Sequence, residues 1–480
     1  MRLPESFCER TRALLGDERW SVLEHALGEQ PTVSVRYNPW KQPGWQADGW
    51  QINGRVPWCP DGLYLKERPS FTFDPLFHMG KYYVQEASSM FVSHVVRQLA
   101  SILENQEPTV LDMCAAPGGK STAMISALPQ GSLLFANEPI RLRANILAEN
   151  LSKFGYPHVV VTNNYPKDYE RNGLLFDLIL CDVPCSGEGM FRKDAVAIEE
   201  WSEEHVKHCS LLQREIVESA WKVLRPGGFL IYSTCTFNRE ENEDNIRWMM
   251  DELDAAPWSI NIDSEWGIQG SMTEAYGRPC YRFLPGFTRG EGLFMAVMKK
   301  GAWSKEHGAR NKEHGARNKE QGARSKGQEA WSKEHGARSK GQEAWSKGQE
   351  ARNWLDRAED YELRKMGDTL YALPKRWSSL IQKTSLRIIQ AGVALGEQKG
   401  KDLLPDHRLA LSTALRDDAL PHVAVDYTQA ISYLRREALT LEDAPRGIVL
   451  LTYEDMPLGF VKNLGNRANN LYPKEWRVRS

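Results

Sequence analysis

Between residues 109 and 300 the apolar positions gather into short runs: VLDMC (110–114), SLLFANE (132–138), VVVTN (159–163), FDLILCDVP (176–184) and FLIYSTC (229–235). Stretches with helical spacing, such as Arg141–Phe154 and 201–224, separate them. Short apolar runs alternating with amphipathic helices predict an α/β domain with a doubly wound, Rossmann-like parallel sheet. The turn RPGG (225–228) is expected to end one helix and start the next strand.

On either side the pattern changes. Residues 1–100 are rich in Trp, Pro and Gly, and helical spacing begins at Ala87. They are expected to form a small N-terminal domain that docks on the sheet. Seven heptads, variants of SKEHGAR and SKGQEAW, fill 304–352. Few of their positions are apolar and each copy carries a Gly, so a coiled coil is disfavoured and a solvated 301–352 linker is expected. From 353 the composition turns globular again, with an amphipathic stretch at 427–439 and strand-like GIVLLTY (447–453) and PLGFVKN (457–463). This predicts a separate C-terminal domain. Its last segment sets Arg467, Lys474, Arg477 and Arg479 beside Tyr472 and Trp476, a mixture that suits phosphates and stacked bases as well as a basic surface over core aromatics.

The chain has 480 residues, 41% of them hydrophobic, enough for two or three cores. A net charge of −2 neither requires nor excludes nucleic acid. The eight cysteines include no C-x-x-C pair, so reduced thiols and a cytoplasmic location are the default. Neither a secretory signal within residues 1–30 nor a membrane span is expected.

The first strand runs through Cys114 into Ala115, Ala116, Pro117, Gly118, Gly119 and Lys120, a small-residue loop that lets main-chain N–H groups approach a ligand. Cys114 stands where a Walker A motif needs Gly, and G-x-G-x-x-G is absent, so a nucleoside ligand without phosphates fits better. Glu138 ends the second strand, where an acid can accept hydrogen bonds from a ribose; it can also serve as a helix-start charge ahead of Pro139. The third strand ends in Asn163 and Asn164, amides able to meet adenine. Lys120 and Arg143 are either braces of the site or ordinary helix and surface cations.

Strand ends also bring Asp182, Cys185 and Cys235 toward one crevice. The thiols read as buried small residues, zinc ligands or nucleophiles. Metal-ligand spacing is missing, so no metal is expected, and the polar strand exits favour nucleophilic chemistry.

The strings DMCAAPGGKST, CDVPCSGEGMFRKD and YSTCTFNREENE resemble motifs of the NOP2/Sun family of RNA 5-methylcytosine methyltransferases, especially bacterial small-subunit rRNA enzymes of the RsmF type. SVRYNP and YYVQEASSMF resemble the family's N-terminal segment, which implies that residues 1–100 also bind RNA. LYALP, AGVALGE and NRANNLYPKEW resemble its RsmF-type C-terminal region, which carries a PUA-like RNA-binding module, here about 420–480. The resemblance implies a methyltransferase domain over 101–300 and transfer from S-adenosylmethionine to carbon 5 of a cytosine in RNA. It points to 16S rRNA as substrate; a monomer is expected.

By the family pattern Cys235 is the nucleophile, Cys185 assists release and Asp182 meets cytosine N3. The cofactor would lie against residues 114–120, Glu138, Arg143, Asn164 and Asp182. DNA cytosine methyltransferases attack with the cysteine of the P-C motif, so the second cysteine in S-T-C-T favours RNA. A tRNA methyltransferase and a silent rRNA-binding assembly factor are the alternatives. The heptads have no counterpart in the resemblance, and removing 304–352 is expected to leave cofactor affinity unchanged by calorimetry; a large loss would contradict a tether.

Overall fold

The structure, a computed structural model, describes residues 3–41, 49–272, 279–301, 350–399 and 402–479. Most of the heptad tract therefore lies outside the described residues. Its end does not: Ala351 is buried in one core with Leu355, so a removable tether stops before Glu350.

The chain begins with helices Glu5–Leu15 and Asp17–Leu27, which bury Phe7, Trp20 and Leu23 against Phe191, Trp201 and Phe237. Four strands follow, β1 (Val33–Tyr37), β2 (Ile52–Arg55), β3 (Gly62–Leu65) and β4 (Tyr82–Val84), in the order β2-β3-β1-β4. Buried Arg36 on β1 clamps this sheet to the helix Gly119–Ile125, donating to Thr122 Oγ1 at 2.6 Å and Ser126 Oγ at 2.8 Å.

The central sheet contains β5 (Thr109–Asp112), β6 (Leu133–Asn137), β7 (Val159–Thr162), β8 (Phe176–Asp182), β9 (Leu224–Thr234), β10 (Ala255–Trp258), β11 (Cys280–Phe283) and β12 (Leu293–Lys300). β9-β8-β5-β6-β7 are parallel neighbours, and β12 adds antiparallel to β9. The expected doubly wound sheet is present. Alternation along each strand divides the core: Val110, Leu134, Val161, Leu178 and Ile231 share one cluster with helices that include Arg141–Phe154, while Leu111, Phe135, Val160, Ile179 and Leu230 share another with helices that include Glu203–Val223. Each strand is thus apolar on both faces, which is why it reads as a continuous run.

RPGG departs from expectation. β9 already starts at Leu224, and its register on β8 jumps from Phe176↔Leu224 to Leu178↔Phe229, so the four residues bulge from the ladder without ending it. Gly227, at φ 79, takes the left-handed conformation this excursion needs.

The C-terminal region forms β13 (Tyr361–Met366), β14 (Thr369–Pro374), β15 (Ile388–Ala391), β16 (Val393–Lys399) and β17 (Asp402–Pro405), then β18 (His422–Ala424), β19 (Gly447–Tyr453), β20 (Met456–Asn463) and β21 (Ala468–Asn470). It was expected as a separate domain, yet it shares cores with the rest. β15 extends the central sheet antiparallel to β7, and Tyr371, Leu373 and Ile381 pack beneath that sheet. Val449, Leu451 and Val461 share a core with Val35, Leu63 and Tyr82 of the N-terminal sheet. Tyr472 is wholly buried, edge-on to His407, so for this ring the core reading holds over base stacking.

Candidate active site

The chain runs from β5 to β6 and β7 on one side, then returns to β8 and β9 on the other, so the strand order reverses between β5 and β8. The carboxyl ends at such a reversal leave an open crevice for a ligand. Asp112 ends β5 and Asp182 ends β8.

After β5 the loop 113–118 turns into the helix Gly119–Ile125. Met113 N–H donates to Leu180 O at 2.9 Å and Ala115 N–H to Asn137 O at 2.8 Å, tying the loop to both neighbouring strands. Gly118 sits at φ 109, and a Cβ on Gly119 would stand 3.3 Å from the Tyr83 ring. The N-terminal sheet therefore roofs the cradle closely enough that a side chain at position 119 would need the Tyr83 ring to give by a few tenths of an ångström. This tight loop of mostly small residues, ending in two glycines, fits a nucleoside cofactor.

Glu138 is almost fully buried, accepting from Ile140 N–H at 2.9 Å and pairing with Arg143 at 3.4 Å. Arg143 also donates to Ala116 O at 3.1 Å, so it joins the acid to the loop. Asn164 has a duty the sequence did not suggest: Arg387 N–H donates to its Oδ1 at 3.0 Å and its Nδ2 donates to Arg387 O at 3.1 Å. It ties the segment before β15 to the rim of the crevice.

Lys120 Nζ donates to Asp182 Oδ2 at 2.8 Å. Burial alone would lower the lysine's pKa, but Asp182 outweighs it and the pKa is raised, so Lys120 stays charged. Cys185 and Cys235 follow β8 and β9 with their sulfurs 3.1 Å apart, and Cys235 N–H donates to the Cys185 sulfur at 3.4 Å. Both are free thiols. The hydrogen bond to Cys235 and burial push the Cys185 pKa well up. A pair so placed can divide labour, one sulfur bonding to carbon while the other manages a proton.

Three family models match the chain. They are the 16S rRNA methyltransferase RsmB/F domain over 100–299, the N-terminal domain of 16S rRNA methyltransferase RsmF over 3–87 and the methyltransferase RsmF PUA domain over 420–478. A curated relative from Enterobacter sp. (strain 638), ribosomal RNA small subunit methyltransferase F, is 32% identical over 428 residues, covering 88% of this chain and 83% of the relative. The chain belongs to the RsmF family of 16S rRNA methyltransferases.

Another RsmF-family relative, from Shewanella loihica, is 30% identical over 88% of this chain and 83% of its own length. Among solved structures, a methyltransferase homolog protein from Pyrococcus horikoshii aligns with TM-score 0.52 and 27% identity over 62% of this chain and 95% of that one. NSun6 from the same organism, with SFG, shares the fold at TM-score 0.52 and 21% identity over 62% of this chain and 98% of that one. Among the described residues of this RsmF-family chain no three His, Cys, Asp or Glu side chains are arranged to hold a metal. No described helix is long and apolar enough to cross a membrane.

Sequence reasoning missed Asp112, although the strand-end rule that selects Glu138 and Asp182 selects it equally. It is fully buried, accepts from Ser121 Oγ at 2.6 Å and leaves its other oxygen without a partner. Burial pushes its pKa up to about 7, with nearby Asp182 adding to the rise. The fold thus favours the protonated form, so this stabilisation is present below about pH 4 and is lost as pH rises through about 7. Asp112→Asn should remove that dependence: denaturant titrations from pH 5 to 8 should show wild type losing stability relative to the variant. A constant difference would refute the shift.

Proposed function

We propose that this chain transfers a methyl group from S-adenosylmethionine to carbon 5 of a cytosine in 16S rRNA, through a covalent adduct on Cys235. The observation that carries the reading is the 3.1 Å contact between two free thiols at the exits of adjacent strands, beside Asp182. The RsmF-family match and its PUA domain favour rRNA over DNA or tRNA.

When bound, S-adenosylmethionine supplies an electrophilic methyl group. The loop 114–120, Glu138 and Asp182 would hold it, Glu138 through the ribose, with Arg143 bracing loop and acid and Asn164 bracing the far rim.

Carbon 5 of cytosine is a weak nucleophile. Addition of the Cys235 thiolate to carbon 6 moves the ring's electron pair toward carbon 5 and makes it able to accept the methyl group. Asp182, held by Lys120 through its other oxygen, meets N3 and hands it a proton as the adduct forms, so that the thiolate's charge does not build up on the ring, and takes the proton back when the adduct breaks down. Release then needs the carbon 5 proton removed and the carbon 6–sulfur bond broken, which restores the ring double bond and the Cys235 thiolate. Cys185 assists this elimination. The geometry favours the assignment: the Cys185 sulfur lies 3.1 Å from the Cys235 sulfur, next to the carbon–sulfur bond that must break.

With methyl-labelled cofactor and rRNA or small subunits as substrate, wild type should label cytosine carbon 5. Cys185→Ala should accumulate a covalent protein–RNA adduct visible as a gel shift, and Cys235→Ala should give neither adduct nor label. Adduct with Cys235→Ala alone would reverse the roles. No label in any substrate, with cofactor bound, would favour the silent assembly factor.

A further inference from the structure

Each thiol loop is gripped by a buried carboxylate from the other. Glu188, in the loop that follows Cys185, accepts main-chain N–H bonds from Phe237 at 2.6 Å and Asn238 at 3.0 Å, just beyond Cys235. Glu241, beyond Cys235, accepts the N–H of Ser186, the neighbour of Cys185, at 3.0 Å.

Gln213, on the helix Glu203–Val223, completes the grip. Its Nε2 donates to Glu241 at 2.6 Å and to Pro184 O at 2.9 Å. The residues on both sides of Cys185 therefore hang from one Gln–Glu pair. Asn238 Nδ2 joins the two carboxylates, lying 2.8 Å from Glu241 and 3.0 Å from Glu188.

Glu188 and Glu241 are 1% and 0% exposed, too deep to touch a substrate. Burial pushes Glu241 up to about 7, and the bonds from Ser186 and Asn238 pull against it. A buried carboxyl is costly unless its oxygens are satisfied, and the three groups bonded to it in this grip, Ser186 N–H, Gln213 Nε2 and Asn238 Nδ2, are all donors. A shape-matched amide would turn an NH2 toward one of those donors.

We propose that Glu241 is a positioning residue for product release: by holding the Ser186 amide it sets the Cys185 sulfur at its contact distance from Cys235. This rests on the reading that Cys235 attacks and Cys185 releases. Misplacing a reacting group by about 1 Å can slow a step roughly a hundredfold.

The test is Glu241→Gln in the full chain, with methyl-labelled cofactor and rRNA or small subunits, alone and combined with Cys185→Ala. The expected result is unchanged cofactor affinity by calorimetry, an unchanged KM for RNA, turnover lowered roughly tenfold to a hundredfold and accumulation of the covalent adduct. In the Cys185→Ala background the substitution should add nothing, because the group it positions is gone. If Glu241→Gln no longer binds cofactor, Glu241→Asp is read instead; it keeps the charge, withdraws it from Ser186 by one methylene and should accumulate adduct as well. Slower turnover without adduct, or a full further loss in the Cys185→Ala background, overturns the proposal. Failure of Cys185→Ala itself to accumulate adduct overturns the role assignment beneath it, a result distinct from failure of Glu241 alone.

Discussion

Two thiols can act on one base only if the chain delivers both to one point, and the parallel pairing of β8 with β9 does this. Cys181 lies opposite Tyr232 and Asp182 opposite Ser233, so the two strands end level and their exits run side by side. Neither Cys185 nor Cys235 belongs to the ladder; Cys185 follows Asp182 by three residues and Cys235 directly follows Thr234. Beyond that edge, the main-chain bond from Gly189 N–H to Cys235 O and side-chain hydrogen bonds replace the ladder. Missing side chains help too: a Cβ on Gly189 would stand 2.7 Å from Gly292 O and 2.9 Å from Cys235 O, so only glycine lets these segments close.

The cofactor cradle depends on the same sheet and on a lid that is remote in sequence. Tyr83 and Gln85 sit over Gly119, held there because Arg36 spends its guanidinium on Gln85, Thr122 and Ser126. At the other rim Asn163 N–H donates to Arg387 O at 2.9 Å, so the C-terminal region closes the crevice beyond β7. The central domain provides the chemistry, and segments from both ends of the chain shape its walls.

Much of this was legible in the sequence, for definite reasons. Strands buried on both faces show as unbroken apolar runs, and the helix Arg141–Phe154 has the bounds its spacing indicates. The meeting of Asp182, Cys185 and Cys235 followed from strand ends in a doubly wound sheet. Glu188 and Glu241 were not legible, because charged residues in a string such as NREENE normally mark a solvated face, and only the fold shows them dry. Arg387 and Asn164 meet across 223 residues with no local pattern to announce it. RPGG carries strong turn chemistry, which the neighbouring strand overrides by letting the turn bulge.

The core shared by the first and last sheets also bears on how the chain is made. Val35, Leu63 and Tyr82 leave the ribosome early, but the surface that covers them, Val449, Leu451 and Val461, comes some four hundred residues later. At about 5–20 residues per second, that face waits tens of seconds for its partner. Contacts of such long sequence separation form late and slowly. The N-terminal sheet is therefore a large apolar surface sealed late, and the interval before sealing leaves the newborn chain open to chaperones and to self-association.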